Sequence, residues 1–283
     1  MELQILKYKK LIIAGVLVLF AASCEKEIQI NLPPGKTEWV VEASINQRFP
    51  TLNYVYISRT LDYFNPDLSL NGVRGATVYI TEGTIVGSDT LFDPSNRVAF
   101  TNFFDSIIPG IYVNLNFMAK LNKPYLLEIT MPNGDVVTGR TFVRTPPKID
   151  SISYNIIDTN AFLYFDWFDG PEQDNYRLAL WSFPDSNLTG WGAADRFYTF
   201  DDRFLNNTRR PFQIFNPFDP GDTINIYLAS IGRQEFVFWD SFRRANNNGG
   251  PFATPIAVSS NITGAIGSFT GYAIEYQRII LNP

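Results

Sequence analysis

The residues of this chain that could do chemistry by type and spacing are mostly acidic. Asp201-Asp202, and Asp169 with Asp174, are paired carboxylates of the kind that act as acid and base in glycoside hydrolysis. Asp169, Glu172 and Asp174 also space oxygens along one turn, as a calcium loop does, although the full loop pattern is missing. Other chemistry falls to composition. With no histidine and one cysteine, neither a Ser-His-Asp nor a Cys-His nucleophile can be assembled, nor a His/Cys zinc site. Gly264, Gly267 and Gly271 form a glycine-rich stretch, but a strand follows them and no lysine occurs beyond Lys148. They read as turn residues, since a phosphate cradle needs a following helix and usually a lysine. Among 28 acidic residues close pairs arise by chance, and a solvated acidic turn is the simpler reading. No catalytic residue, metal or cofactor is expected.

Binding is the better prospect. From Trp181 to Phe218 the chain places ten aromatics in 38 residues, with arginines interleaved. Trp181, Trp191, Phe197, Tyr198, Arg203, Arg209 and Arg210 are the candidates for a ligand or partner surface, because Trp, Tyr and Arg dominate binding hot spots. Core packing competes for the same rings. No part of the segment alternates as a clean strand, and long irregular connections in compact domains are usually functional.

These residues sit behind an address label. Lys7, Lys9 and Lys10 precede an apolar run from Leu11 to Ala22, which is shorter than the roughly 20 residues a membrane span needs. Residues 1–23 therefore read as a signal peptide, and Ala21-Ala22-Ser23-Cys24 is similar to a bacterial lipobox, with Cys24 as the lipidation site. Two or three acyl chains there would hold the protein stably on a membrane. Residues 24–36 read as a tether. Without residues 1–23 the net charge is −7, because three lysines and one glutamate leave a chain of net −5. That balance argues against nucleic acid, which needs clustered positive charge.

The remaining chain is punctuated for strands. Aromatics make up 15% of the whole sequence, with 19 Gly and 18 Pro, and short Val/Ile/Tyr/Phe runs alternate with turn residues. Expected strands include Ser88–Asp93, Arg97–Asn102, Ile111–Ala119 and Tyr272–Leu281, and Pro132-Asn133-Gly134-Asp135 reads as a hairpin turn. Gln234–Arg244 is the one expected helix, with Phe236, Trp239 and Phe242 three residues apart. Pro146-Pro147 removes two strand donors and marks a domain boundary. The reading is an all-β chain of two β-sandwich domains, 37–145 and 146–283, with one short helix.

Four resemblances sharpen it. Gly75-Ala76-Thr77-Val78-Tyr79-Ile80 with Pro109-Gly110-Ile111-Tyr112 resembles a transthyretin-like or carboxypeptidase-regulatory sandwich, and the second half a fibronectin- or Ig-like one. Cys24-Glu25-Lys26-Glu27 resembles the acidic signal that sends Bacteroidota lipoproteins to the cell surface. Together with Val73-Arg74-Gly75-Ala76-Thr77-Val78, Pro251-Phe252-Ala253 and Ser260 to Tyr272, it is similar to a Bacteroidota lipoprotein family of unknown function. Members of that family are often encoded beside TonB-dependent outer-membrane receptors. The resemblance implies a non-catalytic outer-membrane accessory protein partnered with a TonB-dependent β-barrel receptor, exposed at the cell surface. The alternative is a free-standing adhesin or glycan-binding lipoprotein.

Overall fold

The computed structural model describes residues 37–61, 71–171, 175–183, 196–203, 207–214, 217–248, 254 and 256–282. The signal peptide, Cys24 and the tether lie outside the described residues, as do Trp191, Glu172, Asp174 and Pro251-Phe252-Ala253. Among the described residues the chain is mostly β, with one α-helix.

Its strands are β1 (Trp39–Asn46), β2 (Tyr54–Arg59), β3 (Thr77–Val86), β4 (Asp89–Phe100), β5 (Ile111–Val113), β6 (Lys123–Thr130), β7 (Val136–Val143), β8 (Lys148–Ile157), β9 (Asn160–Phe168), β10 (Asn175–Phe183), β11 (Arg196–Phe200), β12 (Arg209–Gln213), β13 (Thr223–Ile231), β14 (Ile262–Thr263) and β15 (Ile266–Ile280). The helix α1 runs Arg233–Asn246. Three sheets result. A seven-stranded sheet has the order β11-β10-β13-β15-β1-β2-β5, a five-stranded sheet β14-β7-β6-β3-β4, and a three-stranded sheet β12-β9-β8. All pairings are antiparallel except β1 with β15, which run parallel from Val40↔Ile266 to Asn46↔Tyr272.

Strand periodicity explains how the sheets stack, because alternate side chains point to opposite faces. Phe269 and Ala273 of β15 pack with Val41 and Ala43 of β1 and with Val78, Leu127 and Val137 of the five-stranded sheet. Further along the same face, Ile279 and the following Leu281 join Leu178, Ile226, Leu163 and Trp167 against the three-stranded sheet. The even-numbered Tyr272 and Ile274 face the other way, onto Phe236, Phe238 and Trp239 of α1. One long strand thus serves both sandwiches and the helix layer. Arg177 on β10 lies buried in that third layer, its guanidinium 3.9 Å from the Trp239 ring and 4.8 Å from Phe197.

The local expectations hold where the period is simple. The helix packs Phe236 and Trp239 inward, and Asp240 pairs with Arg243 and Arg244 in its last turn. The turn between β6 and β7 carries Gly134 at φ +91°, where its N–H donates to the Met131 carbonyl.

Other expectations need correction. Ser88–Asp93 and Arg97–Asn102 fall in one strand, β4, whose pairing with β3 shifts register between Phe92 and Arg97, so Pro94 lies in an irregularity of an edge strand where the ladder needs no donor. Ile111–Ala119 is strand only to Val113. β15 begins at Ile266, so Gly267 and Gly271 are strand residues and only Gly264 lies in a turn. Pro146-Pro147 does not separate the sheets, since the seven-stranded sheet takes strands from both sides of it.

Candidate functional site

The described members of the acidic pairs, Asp169, Asp201 and Asp202, are bound by arginines. Asp202 and Asp169 both hold Arg210, at 2.9 Å from its Nη2 and 3.0 Å from its Nε. The Tyr176 hydroxyl donates to Asp169, and Arg210 also donates to the Asp201 carbonyl at 3.3 Å. All three charged side chains of this knot are almost fully buried. Beside it, Asp201 binds Arg203 at 2.8 Å and Arg233 at 3.0 Å. Burial works to raise the Asp201 pKa, but these guanidinium contacts outweigh it and hold the carboxyl at about 2. A glycosidase acid needs a raised pKa, and Asp201 is shifted the opposite way. Glu235 is pushed up by burial, with a hydrogen bond from Thr141 at 2.6 Å opposing, but it sits inside the junction of α1 with β7 and β15. Among the described residues no group of three or more His, Cys, Asp or Glu is placed to hold a metal.

The aromatic–arginine candidates separate into three environments. Trp181 is buried, edge-on to Tyr227 with ring centroids 4.4 Å apart. Phe197 packs against Trp239 and Phe242 of the helix. Tyr198 is half-buried against Phe212, and burial raises its phenol pKa, with Arg196 opposing. These rings, with Arg210, belong to the interior. Arg203 is exposed and paired with Asp201. Arg209 is exposed as well, and it bridges Asp150 and Asp166 at 3.4 Å each. The segment also contains two strands, β11 and β12, that the sequence conceals. Arg209-Arg210-Pro211-Phe212-Gln213 alternates correctly only if a buried arginine counts as an inward residue.

Two surface features remain after this sorting. The first is the outer face of the three-stranded sheet. Leu163, Phe165 and Trp167 of β9 are buried beneath it, which turns Phe162, Tyr164, Asp166 and Phe168 outward. Register sets Ser153, Tyr164 and Gln213 in one row across β8, β9 and β12, and Ser151, Asp166 and Pro211 in the next. A shallow concavity of about 320 Å³ lies over these two rows.

The second feature is the turn between β4 and β5. Phe103 and Ile107 are 76% and 75% exposed, and Ile108 is 45% exposed. The turn is nonetheless fixed. Thr101 and Val113 exchange backbone hydrogen bonds at its base, and Ile107 and Ile108 both donate to the Phe104 carbonyl. Asp105 accepts from Arg74 at 2.8 Å. The turn lies toward the end where the described chain begins, because a Cβ on Gly75 would lie 3.8 Å from Pro132, and the adjoining Asp135 accepts from the Trp39 indole at 2.8 Å. The signal for this patch was present as the apolar run Phe103-Phe104 with Ile107-Ile108, which no strand needs.

No protein-family model matches the chain, and no curated protein matches it. Among solved structures it is similar to a DUF3823 family protein from Bacteroides uniformis, at 11% identity and a TM-score of 0.28, over 88% of this chain and 100% of that one. It is also similar to the BSP domain of a biofilm-associated protein, at 12% identity and a TM-score of 0.18, over 70% of this chain and 27% of that one. At these scores neither likeness carries an argument about function.

Proposed function

We propose that this chain is a non-catalytic lipoprotein, anchored on the outer membrane through Cys24 and exposed at the cell surface. In that setting it acts as an accessory subunit of a TonB-dependent transporter, assisting ligand capture or assembly. The signal peptide and lone cysteine support the anchor, and the family resemblance supports the partner. Carboxylates bound by arginine in a chain without histidine support a binding role over catalysis. The observation that carries the reading is the fixed apolar turn at Phe103 and Ile107. Exposed apolar groups clustered on a structured turn mark interaction sites, and this one faces the end at which a tethered chain enters the fold.

The double variant Phe103→Ser/Ile107→Ser tests it. Both side chains are solvent-facing, so the thermal midpoint should stay within a degree or two of wild type, as surface changes usually shift stability by under about 0.5 kcal/mol. Recovery of a β-barrel receptor in a mild-detergent pull-down should fall about tenfold or more, as for truncated hot-spot residues. Equal recovery from wild type and variant removes the turn from the interface.

A further inference from the structure

We propose that the outer face of the three-stranded sheet binds an uncharged carbohydrate, with Tyr164 as its platform and Asp166 and Gln213 as its hydrogen-bonding arms. This inference does not depend on the transporter assembly, because the whole site lies on one chain.

Charge on the face identifies the ligand class first. Arg209 is shared between Asp150 and Asp166, and Lys148 lies 3.6 Å from Asp150. Two cations and two anions neutralise one another within the face. A phosphate or an acidic polymer would meet Asp166 with no surplus positive charge to offset it, whereas an uncharged ligand meets no mismatch.

Hydrogen-bonding capacity narrows it further. Ser151 donates to Asp166, and the Gln213 amide donates to the Tyr164 hydroxyl at 3.2 Å. Each of these groups retains further lone pairs or protons: a carboxylate accepts at several positions, a carboxamide donates and accepts, and Ser153 adds a hydroxyl. A polyhydroxylated ring, whose every hydroxyl both donates and accepts, matches such a mixed set within one small area. The Tyr164 and Pro211 side chains supply the complementary apolar surfaces for its C–H faces.

Shape agrees. Strands lie about 4.8 Å apart, so a three-stranded face is about 10 Å across, too narrow for a globular partner and wide enough for a single chain of linked rings. The concavity of about 320 Å³ falls at the lower end of the range for small-molecule sites, about 300–1,000 Å³. Outward positions of β9 continue beyond it to Phe162 on one side and Phe168 on the other, so the platform extends along the strand.

Affinity electrophoresis of the full chain through gels containing soluble starch, xylan, galactomannan, mixed-linkage β-glucan or dextran tests the proposal. At least one neutral polysaccharide should retard the wild type. Tyr164→Ala should weaken that retardation about tenfold or more, as truncation of an aromatic anchor does, while Tyr164→Phe, which keeps the ring, should retain most of it. Asp166→Asn should weaken it as well. Thermal midpoints near wild type establish that the variants are folded. Retardation by none of the neutral polymers, retardation only by a charged polymer such as alginate, or equal retardation of Tyr164→Ala and wild type would each overturn it. A chain that passes this test yet recovers no receptor would leave the sugar site standing and the transporter reading refuted.

Discussion

Replacing Arg210 with methionine is expected to cost the fold about 3–5 kcal/mol, while Arg209→Ala, one residue away, should cost under about 1 kcal/mol. The two arginines are neighbours in sequence and opposites in environment. Arg210 has a side chain 9% exposed and stands between two buried carboxylates, Asp169 and Asp202, whereas Arg209 is 62% exposed over its acidic neighbours. Methionine fills similar volume but leaves both carboxylates buried without their cation. The penalty comes from those stranded charges, since a buried pair replaced as a unit by apolar residues is often close to neutral. Urea unfolding of the two variants beside wild type reads the difference directly. An Arg210→Met protein as stable as Arg209→Ala would mean that the knot is solvated and that its carboxylates are open to other chemistry.

Gly267→Ala should destabilise by about 3 kcal/mol or more, from backbone strain and overpacking of about 1–3 kcal/mol each. Gly267 sits at φ +141°, and a Cβ built there would lie 1.8 Å from the Val41 carbonyl oxygen. That contact is backbone, and it falls where β1 and β15 run parallel, so relief requires parting the two strands that join the halves of the chain. Gly87→Ala is the control. Gly87 has φ +63° in the β3–β4 turn with nothing within 4 Å of the added Cβ, so it carries the conformational strain without the clash. Its thermal midpoint should fall only slightly, and that of Gly267→Ala severely. Similar midpoints for the two would show that the parallel β1–β15 junction yields easily.

The legible part of the fold was the part written in local period. β9 alternates Ala161, Leu163, Phe165 and Trp167 inward without exception, and α1 repeats its aromatics at helical spacing. What stayed hidden depends on distant partners. Nothing near Val41 announces that β1 pairs in parallel with residues more than 220 positions later, so a proline pair midway reads as a domain boundary. The glycines at 267 and 271 looked like turns because their purpose, close approach to Val41 and Thr141, lies on other strands.

The candidate surface was hidden for a related reason. The excess of rings and arginines between Trp181 and Phe218 was real, but a guanidinium can be an interior residue when carboxylates and rings enclose it, as at Arg210. The carbohydrate face is not legible in the sequence because β12 carries no plain strand period, and Gln213 and Pro211 reach Tyr164 and Asp166 only through its pairing with β9. The turn at Phe103 is legible as apolar residues that no strand uses.

The most direct test of the account places a photo-crosslinking amino acid at position 103 in the full-length chain, expressed in its native envelope and irradiated before solubilisation. The account predicts a covalent adduct whose mass and peptides include a TonB-dependent β-barrel receptor, with no such adduct from the same probe at Ser88 in the β3–β4 turn. An adduct with lipid alone, or no receptor adduct from position 103, would contradict it.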